Sequence, residues 1–423
     1  MQDLLFLAHR IPYPPNKGDK IRSYHLLRHL AGKYRVHLGA FVDTPDDWRH
    51  VDAVRRLCGE TFFAPLRPLT ARLRGLSGLA AGRPLTLACY RDAAMQAWVD
   101  SLLWRLPVAR ILVFSAAMAQ YVMHARAAAR VVDFVDVDSD KWRQYARTRP
   151  WPLSRLYRRE ADALLRAERG IAAEFDASLF VSDAEAGLFR QLAPEAAERV
   201  GFIHNGVDVE YFSPSRGYPN PYDRHTRALV FTGAMDYWPN VDAVTWFARE
   251  VLPAVRRASA AVRFYIVGAR PARAVRRLAQ QPGVVVTGAV EDVRPYLAHG
   301  HLAVAPLRVA RGVQNKVLEA MAMEKAVVCS PQSAQGIEAV PGRELFIAED
   351  ARAFAGRVVD LLSNPLRETV GIAARRRILS DYRWEKNLSR LTDCFDLAAK
   401  PFLLYGGLAP ERPGIPRFAE EHR

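Results

Sequence analysis

Residues 306–330 read PLRVARGVQNKVLEAMAMEKAVVCS, and the punctuation of this stretch decides what kind of fold the chain can have. A short basic loop carrying Gly312 runs straight into a helical pattern whose first turns hold Lys316 and Glu319. Leu318, Met321 and Ala322 form its apolar stripe, and a β-branched run at Val327-Val328 follows at once. Free backbone N–H groups at a helix start attract phosphate, and a nearby ammonium strengthens the attraction. A carboxylate one turn further in accepts hydrogen bonds from sugar hydroxyls. Loop, helix and strand in this order suit one unit of an α/β sheet with a nucleotide sugar at its mouth. An ordinary amphipathic helix facing a core explains the apolar stripe as well, so the reading depends on the rest of the chain.

Strand-like apolar runs recur at 4–8, 36–42, 61–66, 110–114, 131–137, 178–181 and 201–203, then at 229–232, 263–267, 284–287, 302–305 and 327–330, with helical patterns between them. This alternation predicts βαβ units and parallel sheets covered on both faces. After the first strand, Ile21, Tyr24, Leu27, Leu30 and Tyr34 recur at spacings of three and four and predict one buried stripe. Lys20, Arg22, Arg28 and Lys33 fall off it and are expected in solvent. At 423 residues the chain exceeds what one core spans, so two domains are expected. The polar stretch 207–226, with Pro214, Pro219 and Pro221, is predicted to link a domain at 1–206 to one at 227–380. The Pro- and Gly-bearing tail 401–423 is expected to pack loosely.

The 60 Lys and Arg against 45 Asp and Glu leave +15, which favours anionic partners: nucleotide diphosphates, acidic lipid surfaces or nucleic acid. No helix-turn-helix, zinc-finger or aromatic RNA-binding signature is present, so nucleic acid is set aside. Cys58, Cys89, Cys329 and Cys394 are far apart and form no CxxC pair, which argues against a disulfide framework and a zinc site and for a reducing cytoplasm. The apolar run in Met1–Ala8 is too short for a signal peptide, and no stretch reaches the ~18 apolar residues of a spanning helix. Membrane contact is therefore expected to be peripheral. From Arg67 to Arg91 the chain carries five arginines and no acidic residue, with Leu69, Leu73 and Leu76 at helical spacing. Such a segment can lie on an anionic bilayer or pack on its own domain, and both readings stay open. No GxGxxG, P-loop, HExxH, S-x-x-K or G-x-S-x-G motif occurs.

The 306–330 stretch resembles the donor-site motif of the large retaining GT-B glycosyltransferase family, glycosyltransferase family 4. In that motif two glutamates eight positions apart bracket a small-residue loop, and the second opens the run L-E-A-M-A. Glu319 fits the second within Leu318-Glu319-Ala320-Met321-Ala322; Arg311 stands where the first would be, and Glu324 and Ala326 stand where glycine and proline are usual. Gly233 to Asn240 resembles the first strand-to-helix loop of the family's C-terminal domain. Phe264–Gly268 and Val284–Gly288 resemble two of its strands closed by glycine. Asn205-Gly206-Val207-Asp208, with Phe212 and Pro214 behind it, matches the inter-domain signature, where Gly206 is expected at positive φ. Ala310–Lys316 and Asp133–Trp142 bring the likeness nearest to the subgroup associated with bacterial exosortase-linked exopolysaccharide systems.

The resemblance implies an α/β GT-B architecture: two Rossmann-like, doubly wound parallel-sheet domains facing across a cleft, with a last helix at 381–400 crossing back to the first. It implies that Glu319 holds the nucleotide ribose and that the Gly288 to Glu291 loop, Val290 included, meets the base. Gly233, Gly268, Gly312, Gln314 and Asn315 would line the donor site. Lys316, with Arg311 as a second cation, would neutralise the departing diphosphate, so that no metal and no cofactor beyond the nucleotide sugar is required. Lys17, Gly18 and Asp19 would face the transferred sugar and acceptor, although capping explains Asp19 equally well. Asp136 and Asp138 are acceptor-side candidates, with helix capping as the alternative, and the Asp136-x-Asp138-x-Asp140 array is not read as a metal motif. Ser115-Ala116-Ala117-Met118 occupies the loop where the family often has a histidine. The implied activity is retaining transfer of a hexose from a nucleotide diphosphate sugar to a glycan or lipid-linked saccharide in exopolysaccharide biosynthesis. A GT-B sugar-nucleotide 2-epimerase and a non-catalytic sugar-nucleotide-binding subunit are the alternatives.

Overall fold

The computed structural model describes residues 1–15, 17–67, 74–75, 78–79, 82–310 and 312–396. Arg311, the leucines at 69, 73 and 76, and the tail 401–423 lie outside the described residues.

Two parallel sheets account for the architecture. The first holds β1 (Asp3–Ala8), β2 (Arg35–Val42), β3 (Thr61–Pro65), β4 (Arg110–Phe114), β5 (Ala129–Val135), β6 (Ala177–Phe180) and β7 (Val200–Phe202) in the order β3-β2-β1-β4-β5-β6-β7. The second holds β8 (Arg227–Thr232), β9 (Val262–Val267), β10 (Val284–Gly288), β11 (Leu302–Ala305), β12 (Val327–Cys329) and β13 (Phe346–Ile347) in the order β10-β9-β8-β11-β12-β13. Both sheets are doubly wound, with strand order reversing between β1 and β4 and again between β8 and β11. Ligands in such sheets sit outside the carboxyl ends of the strands at that reversal. The loops after β8 and β11, which carry Gly233 and Gly312, are therefore placed by topology at the edge where chemistry is done.

Side chains alternate across each sheet because successive Cβ atoms point to opposite faces. Leu5 and Leu7 of β1 join one core with Ile111, Val113 and Phe180. Leu4, Phe6 and Ala8 join the other with Leu112 and Phe114. Trp384, Leu388 and Leu391 of the helix Trp384–Asp396 enter that second core, so the chain returns to the first sheet after completing the second. Two segments pass between the sheets, and Val207 N–H donates to Tyr382 O at 2.7 Å where they cross. Val207, Val209 and Tyr222 from the 207–226 stretch are buried against the second sheet.

Two local expectations are corrected. The buried face of the helix Gly18–Ala31 includes Lys20, Arg22 and Ser23 beside Leu26, Leu27 and Leu30, while Ile21 and Tyr24 are half-buried. Arg22, 1% exposed, sends Nε to Asp133 Oδ2 at 2.7 Å and Nη1 to Ile203 O and Asn205 Oδ1 at 2.8 and 2.9 Å. Lys20 reaches Asp47 at 2.7 Å. Buried cations are tolerated because carboxylates from distant elements meet them inside. Gly206 is not among the positive-φ glycines; a Cβ there would lie 2.6 Å from Trp384 N. Close passage of the crossing strands, not backbone handedness, demands this glycine. Glu324 does adopt φ +57°, the conformation that glycine takes without cost.

Candidate functional site

The helix Asn315–Ala322 follows β11 at the reversal of the second sheet. Lys316, in its first turn, is half-buried. Its Nζ donates to Asn240 Oδ1 and lies 4.3 Å from the centroid of the Phe231 ring. Burial works against the ammonium and brings its pKa down to about 7, with Glu319 pulling the other way. Glu319, one turn on and also half-buried, is pushed up to about 7 by burial, opposed by Lys316. No hydrogen bond reaches the Glu319 carboxylate from the described residues. A cation and a carboxylate on one helical face at spacing three, both short of solvation, are ready for a ligand that supplies opposite charge to one and hydroxyl donors to the other.

Glycines let the neighbouring backbones come close. Gly233 N–H donates to Val267 O at 3.0 Å and Gly268 N–H to Gly288 O at 3.2 Å, which laces the ends of β8, β9 and β10 together. A Cβ on Gly268 would lie 1.7 Å from Gly233 O, and one on Gly233 would lie 3.3 Å from Lys316 Nζ. Gly288 takes φ +72° with open space beside it. Beyond it, Val290 is half-buried and Glu291 exposed. Gly312 takes φ +61°, and Gln314 Nε2 returns to Gly312 O at 3.2 Å.

The first sheet supplies the opposite wall. A Cβ on Gly312 would lie 2.6 Å from Asp136 Oδ1, so the Asp136 carboxylate rests against the donor-loop backbone. That oxygen is buried and has no hydrogen-bond partner among the described residues. Burial, reinforced by Glu185, raises the Asp136 pKa to about 7. Val135, immediately before it, has φ +73° at an irregularity where β5 meets β6, and this re-aims the chain toward the second domain. Asp138 pairs with Lys141 at 3.6 Å, and Lys141 is within electrostatic reach of Tyr237 in the loop after β8. Among the described residues no three His, Cys, Asp or Glu side chains converge as metal ligands do.

The first-strand loop reaches the same edge. Gly18 is exposed, and a Cβ on it would lie 4.0 Å from Asn315 Nδ2. Asn315 Oδ1 accepts from Asn205 Nδ2 at 3.2 Å. Lys17, half-buried, occupies the N-cap position of the helix, and no side chain caps it. Asp19 lies inside the first turn, bound to Arg10 and 3.5 Å from His9 Nε2. Burial opposes its charge, but His9 and Arg10 outweigh it and hold the carboxyl well below the usual range. Capping therefore does not account for Asp19.

His9, Asn240, Lys141 and Tyr237 carry no site role in the sequence reading. His9 had a legible signal, as the first polar residue after β1 at the reversal of the first sheet; its ring stacks on Phe114 at 5.5 Å. The others are recognisable only once distant loops are brought together.

Residues 226–364 match the family model described as Glycosyl transferases group 1. No curated protein matches the sequence. Solved structures match over nearly the whole chain. Sucrose-phosphate synthase from Thermosynechococcus elongatus superposes with a TM-score of 0.69 at 16% identity, covering 95% of this chain and 100% of that one. WaaG, a glycosyltransferase involved in lipopolysaccharide biosynthesis, superposes at 0.64 with 16% identity, covering 92% and 99%. HepE from Anabaena, in complex with UDP-glucose, superposes at 0.63 with 14% identity, covering 95% and 100%. At such identities the likeness is one of fold. The chain accordingly has the GT-B architecture of two parallel α/β domains, with the group 1 glycosyl transferase pattern lying in the second.

Proposed function

We propose that this protein is a metal-independent, retaining glycosyltransferase that moves a hexose from a nucleotide diphosphate sugar to a glycan or lipid-linked saccharide, in exopolysaccharide assembly. The observation that carries the reading is the half-buried Lys316–Glu319 pair at the start of the helix after β11, beneath the Gly233 and Gly312 loops. In this reading the ammonium and the helix N-terminus hold the diphosphate, and Glu319 accepts the ribose hydroxyls. The 288–291 loop meets the base. HepE bound to UDP-glucose makes a uridine nucleotide the first donor to try.

Transfer breaks the bond between the anomeric carbon and the diphosphate oxygen and joins that carbon to an acceptor oxygen. The charge that develops on the diphosphate is what Lys316 stabilises. The acceptor hydroxyl gives up its proton as that bond forms, to Asp136 against Gly312, for which a pKa near 7 suits it, or to the departing diphosphate oxygen.

A thermal-shift screen with UDP, GDP and their sugars tests the reading, because a ligand held only by the native state stabilises it by about 2.7 kcal/mol at a hundredfold excess over Kd. A rise with one nucleotide family, then a product of retained anomeric configuration by NMR, is expected. No shift with any nucleotide would overturn the donor assignment, an inverted product the retention, and conversion of donor without acceptor would favour the epimerase.

A further inference from the structure

From 141 to 159 the chain carries seven Lys and Arg residues and no Asp or Glu. This stretch forms the far half of a helical hairpin, Asp138–Thr148 and Leu153–Glu174. The two arms are held together by Trp142 edge-on to Tyr157 at 5.0 Å and by Arg143 with Asp162 at 3.4 Å. The inner part of the second arm is anchored: Glu160, Ala161 and Leu164 are fully buried. Glu160 accepts from the backbone N–H groups of Leu85 and Thr86 at 2.8 and 2.9 Å. Beyond that anchor the hairpin leaves the domain. Of the described side chains from 147 to 159 none is buried, and the turn presents Trp151 at 77% and Leu153 at 45% exposure.

Exposing a tryptophan and a leucine together costs apolar hydration, and nothing in the fold requires it there. Arginines surround them. Arg147, Arg149, Arg155 and Arg158 are exposed, and a cleft of about 430 Å³ is lined by Arg155, Arg158, Arg159, Asp162 and Arg166. Arg159 also binds the carbonyls of Leu79 and Arg83, which brings Arg83 to the same face. An aromatic and an aliphatic tip ringed by cations is the pattern of a surface that enters the headgroup layer of an anionic bilayer: the rings and methyls go among the acyl chains and the guanidinium groups bind phosphates. A nucleic acid would use the cations but has no use for Leu153.

We propose that this hairpin turn docks the protein on membranes rich in anionic lipid. The hairpin starts at Asp138, beside Asp136 on the cleft wall, and its first arm is 11 residues long. The docking tip therefore stands roughly 16 Å from the cleft, a span that lets an acceptor anchored in the bilayer reach the site. The proposal goes beyond the donor reading.

Sedimentation with vesicles tests it without any nucleotide, so it and the donor assignment fail separately. The full chain should pellet with phosphatidylcholine vesicles containing 30% phosphatidylglycerol and not with phosphatidylcholine alone, and high salt should release it. Trp151→Ser/Leu153→Ser and Arg155→Glu/Arg158→Glu should each lower the bound fraction about tenfold, with the melting temperature of the parent. Absence of binding to the anionic vesicles, or undiminished binding by both variants, would overturn the proposal. A dimer of the parent in analytical ultracentrifugation that Trp151→Ser/Leu153→Ser dissolves would overturn it in favour of a second copy, and displacement from vesicles by single-stranded RNA at equimolar amounts in favour of nucleic acid.

Discussion

Replacing Lys316 with alanine is expected to slow sugar transfer roughly 100- to 1,000-fold while leaving the fold intact. That range is what removing one preorganised group aimed at developing negative charge costs in enzymes where it has been measured. The fold should survive because burial works against this ammonium, drawing its pKa down from 10.5 to about 7. A lysine whose folded pKa is depressed opposes folding most fully below that pKa, and the opposition fades as pH rises toward its unfolded value. Its removal takes away that penalty together with the contacts to Asn240 and Phe231, so the net change in stability is small. Steady-state kinetics with donor and acceptor, beside a melting curve, separates the two effects. Arginine at 316 is not a safe control, since the ammonium sits between Asn240 and the Phe231 ring and a guanidinium is wider and planar.

Arg22→Met should cost about 3–5 kcal/mol of stability, the usual penalty for stranding one partner of a buried ion pair. Asp133, fully buried, would keep, among the described residues, its local contact to the Val135 N–H at 3.1 Å. The damage should reach the cleft as well. Arg22 holds Asn205, and Asn205 donates to Asn315 beside Lys316, so nucleotide affinity falls with stability. Arg22→Met with Asp133→Leu should unfold later in urea than Arg22→Met alone, because an apolar pair leaves no buried charge behind. A double variant no better than the single one would show that the carboxylate is not what Arg22 protects.

How much of this was legible in the sequence follows from the range of the interactions involved. The β-branched runs announce their strands, since buried parallel strands are apolar on both faces. Only Phe346-Ile347, two residues long, gives too little pattern to read. Gly233, Gly268 and Gly312 mark the ends of strands or the start of a helix by composition alone. Lys20 and Arg22 were misread because helical periodicity assigns a cation to solvent. Their partners, Asp47 and Asp133, lie 27 and 111 residues away, and no local rule connects them. Asp136 could be noticed as part of an acidic array, yet its contact with Gly312 depends on how two separately folded sheets face each other. For the same reason nothing local in the sequence ties Asn240 to Lys316, 76 residues away.

Proton uptake on nucleotide binding tests the central claim most directly, namely that Lys316 at the start of its helix clamps a diphosphate. At pH 8 an ammonium with a pKa near 7 is mostly neutral in the free protein. A diphosphate beside it raises that pKa and draws a proton from solvent. Isothermal titration of UDP or GDP at pH 8, in buffers of different ionisation enthalpy, should show uptake approaching one proton per site, and Lys316→Met should bind at least tenfold more weakly with no uptake. Equal affinity and equal proton uptake in the parent and Lys316→Met would contradict the account.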